Sequence, residues 1–152
     1  MSAKGREMGD EKQVTDSPTG WVNKHIREYV ESNGERGHFQ QGAPPSLLLT
    51  TTGRKTGVLR RTGLFYADDD GQYIIVASKG GADDHPPWYL NLVANPEVEL
   101  QVGPDIFPAR ARVAEGDERA RLWKMMCASF PTYESFQSKT TREIPVLVLE
   151  RM

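Results

Sequence analysis

Cysteine is nearly absent from this sequence, with Cys127 standing alone among 152 residues. One thiol excludes an intrachain disulfide and any site built from several cysteines, and it suits a reducing cytoplasm. Histidine is scarce as well: His25, His38 and His85 are scattered without the spacing of metal ligands. No apolar run approaches the ~20 residues of a membrane span, and the polar N-terminus has no signal-peptide core. Excess positive charge is missing too. A formal net charge of −2 argues against general nucleic-acid binding, which needs a basic face of large area. Gly-x-Ser-x-Gly does not occur, and the carboxylates show no catalytic pairing. The expectation is a cytoplasmic protein without acid–base or nucleophilic machinery of its own. A bound cofactor would then carry any demanding chemistry.

What remains is an ordinary globular composition, 38% hydrophobic and 26% charged. A chain of this size forms one domain that buries roughly 70% of its unfolded surface. The polar stretch 1–18 shows no periodicity and is expected to be a flexible tail, leaving 19–152 as a single domain. Trp21, Val22, Ile26, Tyr29 and Val30 follow the spacing of an amphipathic helix over 21–33, with Thr19 as its N-cap and Asn33-Gly34 as its stop. Six strands are predicted over 46–52, 60–67, 72–78, 97–102, 106–113 and 144–149. Asp68-Asp69-Asp70-Gly71 is a strong hairpin turn, since Asp-Gly tolerates positive φ. Helices are predicted over 88–94, following proline at its start, and over 116–130, with a short helical or turn segment over 132–138. Successive hairpins favour antiparallel pairing over a doubly wound parallel sheet. The fold class is therefore mainly β with peripheral helices, a six-stranded, partly open barrel.

Against the acidic background, cations gather in two glycine-flanked segments. Gly53-Arg54-Lys55-Thr56-Gly57 is followed by Arg60 and Arg61, and Ala77-Ser78-Lys79-Gly80-Gly81-Ala82 supplies Lys79. The first is no Walker loop, because its glycines bracket a turn between strands. It does leave backbone N–H groups and Arg54 free to grip an anion. Like charges repel when gathered unless an anion offsets them, so both segments are expected to face one polyanion. Ser78 can hydrogen-bond a carbonyl of a ligand. Trp88, Asn91 and Leu92 share one helix face, where an aromatic ring and an amide can orient a planar ring system. Phe130, Tyr133 and Phe136 recur every third residue as an apolar wall with one phenol. Core packing explains Trp88, Leu92 and these rings equally well; it explains Asn91 less readily.

The succession Leu47-Leu48-Leu49-Thr50-Thr51-Thr52-Gly53-Arg54-Lys55-Thr56-Gly57, then Ala77-Ser78-Lys79-Gly80-Gly81-Ala82, then His85-Pro86-Pro87-Trp88-Tyr89-Leu90-Asn91-Leu92-Val93-Ala94-Asn95-Pro96 resembles the deazaflavin-dependent nitroreductase family. These actinobacterial proteins are similar to coenzyme F420H2-dependent quinone reductases, and the resemblance runs from about Trp21 to the C-terminus. It implies a split β-barrel related to the flavin-mononucleotide-binding barrels. It also implies coenzyme F420, an 8-hydroxy-5-deazaflavin whose phosphodiester and oligoglutamate tail make it a polyanion. By this resemblance Arg54, Lys55, Thr56, Arg60 and Lys79 would hold phosphate and tail, while Ala77, Ser78, Trp88 and Asn91 would lie along the ring. Arg61, Thr62, Gly80 and Pro87 complete the implied cofactor contacts. Phe130, Tyr133 and Phe136 would face the substrate, with Ser78 and Tyr133 as catalytic candidates and no metal. Phe136 stands where a relative carries tyrosine, and Thr62-Gly63 replaces an Asn-Pro pair.

The activity implied is hydride transfer from reduced F420 to a quinone or another planar electron-poor acceptor, nitro compounds included. Two alternatives stay open: a flavin-mononucleotide-dependent oxidoreductase on the same barrel, and a non-catalytic F420-binding protein. A quinone acceptor would allow weak peripheral contact with the inner face of the membrane through the 21–33 helix.

Overall fold

The computed structural model describes residues 14–17, 20–39 and 43–152. Its strands are β1 (Val14–Asp16), β2 (Ser46–Thr52), β3 (Leu59–Phe65), β4 (Ala67–Asp69), β5 (Gln72–Val76), β6 (Glu97–Val102), β7 (Asp105–Val113) and β8 (Val146–Arg151). Its helices are α1 (Gly20–Glu31), α2 (Pro87–Ala94), α3 (Gly116–Ser129) and α4 (Thr132–Ser138). The strands form one sheet in the order β1-β3-β2-β6-β7-β8-β5-β4. Every pairing is antiparallel except that of β1 with β3.

The connection between β3 and β4 explains why this sheet closes. β4 ends the order and β3 is second from its other end, yet only Tyr66 separates Phe65 from Ala67. One residue spans at most ~3.6 Å, so the sheet must curl until its two ends meet. Tyr66 is buried at that seam, and His38 Nε2 lies 2.6 Å from its hydroxyl. Burial, with smaller contributions from Tyr29, Tyr73 and Asp68, pushes the phenol up to about 12.

Alternation along each strand divides the core. Leu47, Leu49, Ile75, Leu100, Phe107, Leu147 and Leu149 fill the barrel, and Leu92 from α2 closes one end. Ile74, Val76, Val146 and Val148 point outward beneath Leu122, Met126 and Tyr133 of α3 and α4. Leu48 points outward beneath Val22, Ile26 and Tyr29 of α1. Strands covered on both faces read as continuous apolar runs, as 46–52 and 144–149 do.

The split barrel agrees with the sequence expectation, but it has eight strands rather than six. The predicted strand 60–67 divides at Tyr66, where the chain crosses the seam. The extra edge strand comes from the segment expected to be a tail. Val14–Asp16 pairs in parallel with Leu59–Arg61, and Arg61 Nε and Nη2 bind the two Asp16 carboxylate oxygens at 2.6 and 3.2 Å. Residues 1–13 and the proposed cap Thr19 lie outside the described residues. The stop of α1 is as expected, with Asn33 and Gly34 at φ 54° and 83°.

Candidate functional site

The β2–β3 hairpin is closed by its own backbone. Gly53 N donates to Val58 O at 2.8 Å, Gly57 N to Gly53 O at 2.9 Å, and Val58 N to Thr56 Oγ1 at 3.2 Å. Arg54, Lys55 and Thr56 are exposed at its tip. Helix α2 is anchored beside it through Asn91, which is only 5% exposed. Asn91 Oδ1 accepts from Arg54 N at 3.1 Å and from Arg54 Nη1 at 3.0 Å, while Asn91 Nδ2 donates to Thr51 Oγ1 at 3.4 Å. The amide that packing left unexplained is the strap between helix and loop.

Between these elements lies a groove of about 400 Å³. The hairpin contributes Gly53, Arg54, Lys55 and Thr56, and β3 contributes Arg60, Arg61 and Thr62. Pro87, Trp88 and Asn91 of α2 form one wall, and Thr15, Asp16 and Ser17 another. Asp16 offsets Arg61. Among the described residues no carboxylate pairs with Arg54, Lys55 or Arg60. Among the described residues the groove therefore carries positive charge without a carboxylate partner beside an indole ring. Sequence reasoning missed its Thr15–Ser17 wall, because a three-residue edge strand has no periodicity to read.

Glycine at position 63 has a local reason. A Cβ there would come within 2.8 Å of His25 Nδ1, so glycine lets α1 close onto β3. The His25 ring is itself fixed, with Nε2 3.1 Å from Gly37 O and 3.2 Å from Ser46 Oγ.

The second glycine-flanked segment stands apart from that lining. Ser78 is right-handed (φ −78°, ψ −38°), and Lys79, Gly80 and Gly81 follow with φ of 47°, 64° and 85°. A right-handed residue followed by left-handed ones turns consecutive N–H groups toward one side, the geometry of an anion nest. Gly81 N and Ala82 N close the turn on Ser78 O and Lys79 O. No described group accepts from the N–H of Ser78, Lys79 or Gly80. Lys79 Nζ lies 2.8 Å from Asp84 Oδ2, an exposed pair that an anionic ligand can displace. The bond to Lys79 holds the Asp84 carboxyl below its usual range. Of the two basic segments expected to face one anion, only the first, with Arg60 and Arg61, lines the groove. The second is a neighbouring turn whose cation already has a partner.

The Ser78–Gly81 turn is packed from outside by α4. A Cβ on Gly81 would fall 2.6 Å from Phe136 O. The aromatic segment is largely core: Tyr133 is 5% exposed, with Phe130 and Phe136 at ring distances of 5.1 and 6.4 Å. Burial raises the Tyr133 phenol far above its ordinary value, so it keeps its proton. The apolar face of α1 is likewise occupied, since Val22, Ile26 and Tyr29 pack on Leu48. That leaves those side chains unavailable for the expected membrane contact. Among the described residues no helix is long and apolar enough to cross a membrane, and no cluster of His, Cys, Asp or Glu could hold a metal.

A sequence model of the F420H(2)-dependent quinone reductase family matches residues 21–151. The chain belongs to that family. Strands β2 to β8, the basic hairpin, the Ser78 turn and α2 all fall within the matched stretch. An F420H(2)-dependent quinone reductase of Mycobacterium tuberculosis is similar to this family member, with 45% identity over 143 residues, 86% of this chain and 96% of that protein. A solved F420-H2 dependent reductase is 42% identical, covers 74% of this chain and 99% of that one, and superposes with a TM-score of 0.66. The heme storage protein HutZ of Vibrio cholerae shares the fold alone, at 17% identity and a TM-score of 0.54 over 83% of this chain and 89% of that one.

Proposed function

We propose that this member of the F420H(2)-dependent quinone reductase family passes a hydride from reduced F420 to a quinone, with the groove holding the cofactor's anionic part. One observation carries the reading: among the described residues Arg54, Lys55 and Arg60 have no carboxylate partner around a groove walled by Trp88. The donor set suits the cofactor, because guanidinium groups bind phosphate and carboxylate through paired, charge-assisted hydrogen bonds. The unbonded N–H groups of Ser78, Lys79 and Gly80 offer a second seat for negative charge or a ring carbonyl.

When bound, reduced F420 supplies the hydride; the chain supplies position and a dry wall. Asn91 fixes Arg54, Trp88 offers an apolar face, and Ser78 offers a hydrogen bond to the acceptor side. Tyr133 stays a neutral phenol and acts with Phe130 and Phe136 as a wall rather than as a source of protons. A planar, electron-poor acceptor fits these roles, a quinone first and a nitroaromatic second. The lone, buried Cys127 supports a reducing cytoplasm as the setting.

Mixing the protein with reduced F420 and menadione, and following the return of deazaflavin absorbance, tests this. Reoxidation that scales with enzyme concentration is expected, and FMN in place of F420 should give none. Tight F420 binding without turnover on any of several quinones would remove the quinone assignment.

A further inference from the structure

We infer that Arg142 is a positioning residue that locks the Ser78–Gly81 turn to the start of α2. It thereby sets the geometry of both arms of the site. This rests on the reading of that site as the cofactor site. Arg142 Nε donates to Ala82 O at 2.7 Å, Nη2 to Ser78 O at 2.8 Å, and Nη1 to Ala77 O at 3.3 Å. Nη1 also lies 3.2 Å from His85 Nδ1. A guanidinium has donors only, so His85 must present its lone pair there and remain neutral. The His85 ring packs on Tyr89 with centroids 4.5 Å apart, which carries the tether into the first turn of α2.

The turn needs an external hold. Lys79 sits at φ 47°, a left-handed conformation that is unfavourable for a residue carrying a side chain. Among the described residues no carboxylate forms a salt bridge with Arg142, so its donors go to three backbone carbonyls and the His85 ring. The residue is itself steadied: Gln137 Nε2 donates to Arg142 O at 2.7 Å, and Arg142 N donates to Thr140 Oγ1 at 3.3 Å. Lysine cannot copy this pattern, because a single ammonium does not reproduce the planar fork.

The test compares wild type, Arg142→Ala and Arg142→Lys. With no cofactor present, trypsin is used to cut the Lys79–Gly80 bond. A held turn resists, and loss of the clamp is expected to speed that cut by about tenfold or more through local opening. In the same variants F420 affinity should fall about tenfold, the loss of charge-assisted hydrogen bonds that order the turn. Millimolar guanidinium should restore part of both properties in Arg142→Ala. Folded variants that match wild type in cleavage and in F420 affinity would overturn the inference. If Arg142→Ala fails to fold, Arg142→Lys decides by the same two readings. If wild type itself does not bind F420, the functional reading fails while the cleavage comparison still decides the clamp.

Discussion

Asn91 shows how one buried amide can organise a charged surface. Its carbonyl oxygen takes both the backbone N–H and the side chain of Arg54, and its amino group reaches Thr51 on the strand below. Removing it strands a donor on the loop, and a hydrogen bond to a charged group contributes ~1.5–3 kcal/mol. Asn91→Ala should therefore destabilise the fold by about 2 kcal/mol and weaken F420 binding about tenfold. Asn91→Asp separates the two effects. It keeps the acceptor, so thermal melting should stay near wild type, but its charge cancels that of Arg54 and anion binding should still weaken. Melting curves and F420 titrations of the pair check this, and an Asn91→Asp variant that binds as wild type would contradict it. Asn91 was legible as a polar residue on an apolar helix face. Its partner was not, because Arg54 lies 37 positions away and only the closed barrel brings them together. Arg142 was invisible for the same reason, since the carbonyls it binds lie 60 to 65 positions upstream.

At the scale of elements, the Ser78–Gly81 turn is the most demanding piece of backbone near the site. Gly80 and Gly81 both have positive φ, yet their surroundings differ. A Cβ on Gly80 meets nothing within 4 Å, whereas one on Gly81 meets Phe136 O at 2.6 Å. Gly80→Ala should cost only the left-handed penalty, about 1 kcal/mol. Gly81→Ala should cost at least about 2 kcal/mol, because backbone of α4 must move away. Urea midpoints of the two variants test the difference, and equal midpoints would argue against α4 bearing on this turn. Elements with strong local signals were readable in advance. Strand β2, helix α3 and the Asp70-Gly71 hairpin follow from a β-branched run, a proline break and positive-φ residues. Strand β1 was not, because its three residues are held by pairing and by the Asp16–Arg61 bridge rather than by any pattern of their own.

At the scale of the whole molecule, a net charge of −2 coexists with a groove where Arg54, Lys55 and Arg60 have no carboxylate partner among the described residues. Such an arrangement steers anions to one place while the rest of the surface repels them, and salt weakens it. The groove's position follows from closure of the barrel, which sets the β2–β3 hairpin, the β1 edge and α2 around one space. The most direct measurement is therefore an F420 titration of wild type and of Arg54→Ala/Arg60→Ala at low and high salt. Two lost charge-assisted contacts should lower affinity about a hundredfold at ~0.02 M salt, with a smaller gap at ~0.2 M. A double variant that binds F420 as tightly as wild type at both salt concentrations would show that this groove is not where the cofactor is held.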